Sequence, residues 1–495
     1  MNFKFWKREA KKFVRKTPVL RSNGFVSAQT NDRQWSWEKS SAPINAYLRN
    51  ELTALRARSR DRARNSEIGK RYPSLLKSNV VGSTGVILQS KASDAPGKID
   101  KLASYAIESA WAEWSKPKNC DASGRSSLTT LMQLVISSIA IDGEVLFRFI
   151  YGSKAGPYGF SIQLIDPEYL DVNFNDDRNG TRIRMGVELN EYNKHVAYYI
   201  IQKDGDYNYN GKRYVRIPAS EMKLLFRQEY VDQIRGIPWM STGLHTMKQQ
   251  DGFQEAALIN ARVGASKSGV LEQDVNAGEY TGDGKLESGE IVEYLDPGQL
   301  QLLPPGVKLR AFDPAYPNGE FSEFNKNVLR RISVGLDVSY ASLSNDLSDV
   351  NYTSLREGNR IERDVYKYLQ NWFIDEAYQE VFDRWIEYSL LNRKILVKDR
   401  PLRPELLSKY KEIAWQPKRW DHIDPLKDSK ANESALLNLT TSRSQLIREA
   451  GQDPDDVFED IAQENEKLKA LGLEIVPKSK PQEVEKEAVN DEDDL

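Results

Sequence analysis

A single cysteine, Cys120, stands in a chain of 495 residues, and the only histidines, His195, His245 and His422, lie far apart along it. One thiol cannot close an intrachain disulfide, and so few scattered soft ligands give no expectation of a Cys/His zinc site. A chain without disulfides fits a reducing compartment such as the cytoplasm. No run of about 20 apolar residues occurs, so no membrane-spanning helix is expected. The N-terminus is basic but lacks the apolar core of a signal peptide. A basic excess is missing as well: 70 Lys and Arg stand against 72 Asp and Glu, a net charge of -2. Proteins that grip nucleic acid tightly do so by neutralising phosphates, and the bulk charge gives no such sign.

What is present is a large amount of core-forming material. Hydrophobic residues make up 39% of the chain, and the aromatics include 10 Trp, 23 Tyr and 16 Phe, enough for more than one domain with aromatic cores. The two ends differ. Lys4, Lys7, Arg8, Lys11, Lys12, Arg15, Lys16 and Arg21 oppose only Glu9 in the first 25 residues, with Phe3, Phe5, Trp6 and Phe13 between them. This basic N-terminal arm, 1–40, reads as solvated, the alternative being an arm that touches DNA, an acidic partner or a neighbouring subunit. The last residues, 478–495, are acidic and read as a disordered tail.

Between the ends, apolar spacing predicts helices over 43–79, 98–115 and 127–140, the second on Leu102, Ala106, Ala110 and Trp114. The period then changes. Val145–Ile150, Ser161–Ile165, Arg182–Leu189 and Val196–Gln202 read as strands, with Gly156-Pro157 and Asn179-Gly180 as turns. The class is therefore α+β, with an α+β domain over roughly 40–235. Helical spacing returns over 239–268, and over 320–336 with Phe321, Phe324, Val328 and Ile332 on one face. Between these two, residues 269–318 are rich in Gly and Pro. Residues 339–353 break the pattern with Ser, Asn and Asp. Ser354-Leu355-Arg356-Glu357 reads as a capping box for a long helix to about 391, with Ile361, Val365, Leu369, Trp372 and Phe373 as its first stripe. A last helical segment is expected near 442–472.

Catalytic patterns are scarce. There is no Gly-x-Ser-x-Gly elbow and no His-Glu-x-x-His pair. Gly282-Asp283-Gly284-Lys285 lacks both the leading Gly spacing and the Ser or Thr after Lys that a phosphate loop needs. Asp176-Asp177 beside Asn179-Gly180 reads as turn chemistry, and Asp142-Gly143-Glu144 as a turn entering a strand. His195 opens a strand and reads as a surface or structural residue.

Several short motifs in order resemble the lambda-type family of phage portal proteins. They begin with the Arg-rich segment Arg56-Ala57-Arg58-Ser59-Arg60-Asp61-Arg62-Ala63-Arg64-Asn65, Asn79-Val80-Val81-Gly82, and Trp111 to Trp114 with Cys120-Asp121. They continue with Asp142-Gly143-Glu144, Gln163-Leu164-Ile165-Asp166-Pro167, Gln233-Ile234-Arg235-Gly236-Ile237-Pro238 and Pro304-Pro305-Gly306. Asn351-Tyr352-Thr353-Ser354-Leu355-Arg356, Trp415-Gln416-Pro417 and Ile423-Asp424-Pro425 complete the series, which spans about 45–470.

The resemblance implies a portal fold assembled as a homo-dodecameric ring around a channel for double-stranded DNA. It implies an α/β wing over 41–238, a helical stem of 239–268 and 319–338, and a small α/β clip over 269–318. It further implies a channel loop over 339–353, a long helix and wing return over 354–439, and a helical crown over 440–477. Expected partners are the terminase large subunit, major capsid and scaffold proteins, and head-completion or tail connector proteins. The place implied is one vertex of the virion, with assembly in the host cytoplasm, and neither catalysis, metal nor cofactor is implied. Asn345, Asp346, Ser348, Asp349 and Asn351 would form the channel loop, an acidic or neutral lining that lets DNA slide. Lys326, Arg330 and Arg331 would face the channel or pair with the next subunit. Gly284, Glu287, Glu290 and Glu293 would sit in the clip for terminase or adaptor docking. Two other readings are a metal-dependent DNA-processing enzyme using Asp177 and a non-ring capsid adaptor.

Overall fold

Residues 41–95, 98–177, 182–202, 213–265, 269–273, 307–311, 321–348, 351–420, 425–450, 452 and 454–472 are described by a computed structural model. The basic arm, Asp349, the clip residues Gly284, Glu287, Glu290 and Glu293, and the acidic tail lie outside the described residues.

Helix α1, Ile44–Asn65, buries Leu48, Leu52, Arg56, Ser59 and Arg62, a stripe at helical spacing that starts with leucines and ends with arginines. Ser66 then takes an extended conformation, and its hydroxyl accepts from the Gly69 amide of α2, Glu67–Leu76. The helix expected over 43–79 is therefore two helices, because a side chain that caps the second also interrupts the first. Strand β1, Ile87–Ser90, leads to α3, Lys101–Trp114, which Asp100 caps. Its buried side is Ala103, Ile107, Ala110, Trp111 and Trp114, while Leu102 of the expected stripe is exposed. Helix α4, Leu128–Asp142, starts on Ser127 and ends on Gly143, whose φ of 86° is left-handed.

Gly143 opens β2, Glu144–Tyr151, and β3, Phe160–Ile165, pairs with it antiparallel. Arg182–Leu189 is not one strand. It is a hairpin of β4, Arg182–Arg184, and β5, Val187–Leu189, because Met185 and Gly186 both take positive φ. Two residues of that kind match the twist of a two-residue hairpin. Strands β6, His195–Ile201, and β7, Tyr214–Pro218, complete a four-stranded antiparallel sheet in the order β4-β5-β6-β7. Strand β8, Met222–Phe226, returns to β2, giving a three-stranded sheet β8-β2-β3.

Helix α5, Leu244–Ala265, and helix α6, Phe321–Gly335, flank an antiparallel pair, β9 (Gly269–Gln273) and β10 (Val307–Ala311). Phe253 of α5 packs between Phe321 and Phe324 of α6, with ring centroids 5.5 and 4.8 Å away. A five-residue helix, α7 (Tyr340–Ser344), occupies part of the expected loop 339–353. Helix α8, Tyr352–Phe373, passes through a π-helical turn, Ile374–Tyr378, into α9, Gln379–Leu391. Strand β11, Ile413–Gln416, comes back to pair with β1. The C-terminal part is three helices, α10 (Pro425–Leu437), α11 (Arg443–Glu449) and α12 (Pro454–Ala470).

The main core joins α2, α3, α4, α8 and α9 to the three-stranded sheet. At its centre the Trp111 ring lies 4.9 Å from Trp114 and 5.0 Å from Trp385, with Phe382 and Trp415 beside it. A second core sets Leu48 and Leu52 of α1 against the four-stranded sheet.

Candidate functional site

The basic segment on α1 does not face solvent as a patch. Arg56 is buried, and its guanidinium meets Glu144 at 2.8 Å and Glu168 at 3.3 Å and donates to the Asp142 carbonyl. Arg60 bridges Asp142 and Asp166, each at 2.6 Å. Arg62 pairs with Asp61 and with Asp251 of α5, tying α1 to α5. From the other side Arg235 reaches both oxygens of Glu144 and donates to the Leu170 and Met185 carbonyls. The Gly236 amide donates to the same carboxylate at 2.7 Å.

Two arginines and an amide thus surround one fully buried acid. Burial pushes the Glu144 carboxyl up, but the Arg235 and Arg56 charges and their hydrogen bonds outweigh it and hold it below the usual carboxylate range. Gly143 and Gly236 allow the approach. A Cβ on either would fall on the backbone of the other segment. The Arg-rich, Asp-Gly-Glu, Ile-Asp-Pro and Gln-x-Arg-Gly-x-Pro motifs therefore meet in one charged hub, although they lie far apart in sequence. Such a hub is structural: every side chain in it is engaged within the protein.

The other motifs also meet. The Asn79 side chain accepts from Trp420 at 2.9 Å, and the Asn79 carbonyl accepts from Gln370 of α8. Cys120 is buried, and Asp121 accepts from Ser123, Arg125 and Ser126, closing the turn before α4.

The loop after α6 is anchored from two sides. Ser339 caps α7, and Asn345 ends it in the left-handed region with its side chain exposed. The Tyr340 hydroxyl donates to Asp346 at 2.8 Å, and the Ser348 hydroxyl and amide donate to it at 2.6 and 3.0 Å. Those donors, Ser348 first, and the Lys326 charge hold the Asp346 carboxyl down at about 2. Arg330 lies over the Tyr340 ring, 5.5 Å from its centroid. Lys326 and Arg330 of α6 therefore act on this loop within one chain, although Arg330 is exposed, as are Arg331, Ser348 and Asn351. On the opposite side Glu362 of α8 is buried and accepts from the Ser339 hydroxyl, the Ser342 hydroxyl and Tyr366. The sequence reading missed Glu362. Its signal is the spacing with Tyr366, Leu369 and Phe373, all buried; Ile361, expected on that stripe, is exposed.

The residues considered for catalysis are dispersed. Asp177 pairs with Arg184, which lowers its carboxyl below the ordinary range. His195 lies 3.2 Å from the Tyr198 hydroxyl, and burial lowers its imidazole to about 4, so it is neutral near pH 7. Among the described residues no three His, Cys, Asp or Glu side chains cluster as a metal site, and no helix is long and apolar enough to cross a membrane.

Comparison with known proteins bears on what this arrangement serves. The family model for phage portal proteins of the lambda family matches residues 30–370. The chain is 34% identical over 468 residues to a probable portal protein of Halomonas phage phiHAP-1, covering 93% of this chain and 89% of that protein. It is 22% identical over 474 residues to portal protein B of Escherichia phage lambda, covering 88% of each. Among solved structures, it is similar to a chain in the virion of a native gene transfer agent particle, with TM-score 0.44 and 13% identity over 82% of this chain and 94% of that one. A chain from the neck of the native particle, computed with C12 symmetry, gives TM-score 0.43 with the same identity and coverage. The breadth of the family match and the 34% relative establish that this chain belongs to the lambda family of phage portal proteins, virion components of the head–tail connector.

Proposed function

We propose that twelve copies form a ring at one capsid vertex and conduct double-stranded DNA during packaging and ejection. In this reading 41–238 is the wing, α5 and α6 form the stem, and 269–318 is the clip that docks the terminase large subunit and later the head-completion and tail connector proteins. Assembly takes place in the host cytoplasm with the major capsid and scaffold proteins.

The observation that carries the reading is the charge arrangement around the loop after α6. The loop offers Asn345 and Ser348 outward and holds Asp346 ionised, while Lys326 and Arg330 are turned toward Asp346 and Tyr340. DNA carries about one negative charge per 1.7 Å of duplex, and a conduit must let it slide. Lys326, half-buried and acting on Asp346, gives phosphates little to hold. Arg330 and Arg331, both exposed on α6, are then the weak contacts to DNA or to the next subunit.

The chain itself is proposed to hydrolyse nothing, the motor being a separate protein. Negative-stain microscopy of the purified full-length chain tests the reading. Rings of about a dozen copies with a central hole support it, whereas monomers at high concentration, or Mg2+-dependent DNA cleavage lost in Asp177→Asn, would overturn it.

A further inference from the structure

The two larger sheets share a face over part of their length. Leu146 of β2 and Leu224 of β8 pack in one core with Tyr198, Ile200 and Ile217 of the four-stranded sheet. Arg148 follows Leu146 on the same face of β2, since alternate residues of a strand point the same way. There a cleft of about 510 Å³ opens between Leu164 and Ile165 of β3 and Ile200, Val215 and Ile217 of β6 and β7. That volume lies within the range of about 300–1,000 Å³ in which pockets hold ligands.

Among the described residues that line the cleft, Arg148 is the only cation and Asp166 the only acid. Asp166 is already held by Arg60 at 2.6 Å. Arg148 is half-buried and has no ion pair or hydrogen bond among the described residues. An unpaired guanidinium beside apolar walls favours a carboxylate, which it holds through two parallel hydrogen bonds.

The backbone of β7 indicates what carries that carboxylate. β7 is the end strand of its sheet. The Gln202 amide donates to the Arg213 carbonyl and the Ala219 amide to the Val196 carbonyl, so by alternation Val215 and Ile217 bond inward to β6. The amides and carbonyls of Tyr214 and Arg216 therefore face the open edge, and no described residue pairs with them. Their side chains are engaged by Asp171 and Glu188, away from the cleft that Val215 and Ile217 line. A lipid chain or a free anion leaves these backbone groups unpaired, whereas a peptide strand pairs them.

We propose that the cleft binds an extended peptide segment of another protein. The segment adds a strand to β7 at Tyr214–Arg216, sets apolar side chains against Val215 and Ile217, and gives a carboxylate to Arg148. Pro218, without an amide hydrogen, ends the pairing. This site does not depend on the ring reading above.

Fluorescence anisotropy on the full-length chain tests it with labelled acetyl-Thr-Val-Thr-Glu-Thr-Val-Thr-amide, whose Val and Glu side chains share one face. Binding should saturate, and replacing Glu by Gln in the peptide should weaken it about tenfold or more. Arg148→Gln should weaken the acidic peptide as much and abolish the preference for Glu over Gln, as coupling between the two groups requires. Val215→Glu, at a position 44% exposed, puts a like charge on the wall and should also weaken the acidic peptide. A peptide N-methylated at every residue cannot pair its backbone and should not bind. No saturable binding up to about 1 mM peptide would overturn the proposal. So would equal affinity for the Glu and Gln peptides, an N-methylated peptide that binds as well as its parent, or decanoate binding as tightly as the acidic peptide.

Discussion

Arg235 grips Glu144 through Nε at 2.8 and 3.0 Å and through a terminal nitrogen at 2.5 Å, and neither side chain has measurable exposure. The pair joins the start of β2 to the segment entering α5, and Arg56 adds α1 from the other side. Removing the acid leaves two buried guanidinium groups facing each other. Glu144→Ala should therefore lose about 3–5 kcal/mol, the scale for breaking one partner of a buried ion pair. Urea unfolding measures this, and a loss under about 1 kcal/mol would mean that water or another acid reaches the hub.

The crossing of Gly143 with Gly236 separates dihedral strain from close approach. Gly143 and Gly152 have φ of 86° and 82°, but only Gly143 has backbone where a Cβ would go. Gly152→Ala should lose about 1–3 kcal/mol, the cost of a non-glycine residue at a φ of 82° and ψ of -160°. Gly143→Ala should lose well over that and recover mostly as insoluble protein. Equal effects at the two positions would show that the two segments can move apart.

Tyr340 and Asp346 set how firmly the loop after α6 is held. Tyr340→Phe keeps the ring beneath Arg330 and removes only the hydroxyl to Asp346. Stability should fall by about 1 kcal/mol, the net value of one hydrogen bond. Amide exchange at Asp346 and Ser348 should rise, while exchange in α8 stays unchanged. Unchanged exchange in the loop would show that Ser348 and Lys326 hold Asp346 without the tyrosine.

His195 makes a distinct pH signature. Its folded value, about 4, lies below its ordinary 6.5, so between these values the unfolded chain binds a proton that the folded chain does not. Stability should therefore fall as pH drops from about 6.5 to about 4. His195→Gln should flatten that part of a urea-midpoint profile. Below it, carboxyls lowered by folding take over. Arg216 holds Glu188 down, and Glu144, despite its burial, is held down by Arg235 and Arg56. Their contribution is present above the unfolded carboxyl value and is lost as pH falls through the folded one. An unchanged slope between pH 6.5 and 4 in the variant would remove His195 as the cause.

Most of the helical framework could be read from apolar spacing, since long amphipathic stretches such as 320–336 carry their period in the sequence. Where readings slipped, the cause was local. Met185-Gly186 turned one apparent strand into a hairpin, because backbone sign is invisible to an apolar count. In α8 the nearest isoleucine, Ile361, drew the stripe one residue away from Glu362, an acid where an apolar residue was expected. The hub shows the larger limit. Arg56, Glu144 and Arg235 each stood in a recognisable motif, but Glu144 lies 88 and 91 residues from its partners. Pairing over such distances depends on the fold, so Asp142-Gly143-Glu144 read only as a turn. That was correct for Gly143 and silent about the buried acid beside it.

The most direct test of the central proposal is a symmetry-free cryo-electron microscopy reconstruction of assembled particles. The expected result is this chain at a single vertex, as twelve copies around an axial duplex, with the residue 345–351 loop nearest the DNA. Copies at every vertex, or a ring whose axis is closed by protein where the DNA should pass, would contradict it.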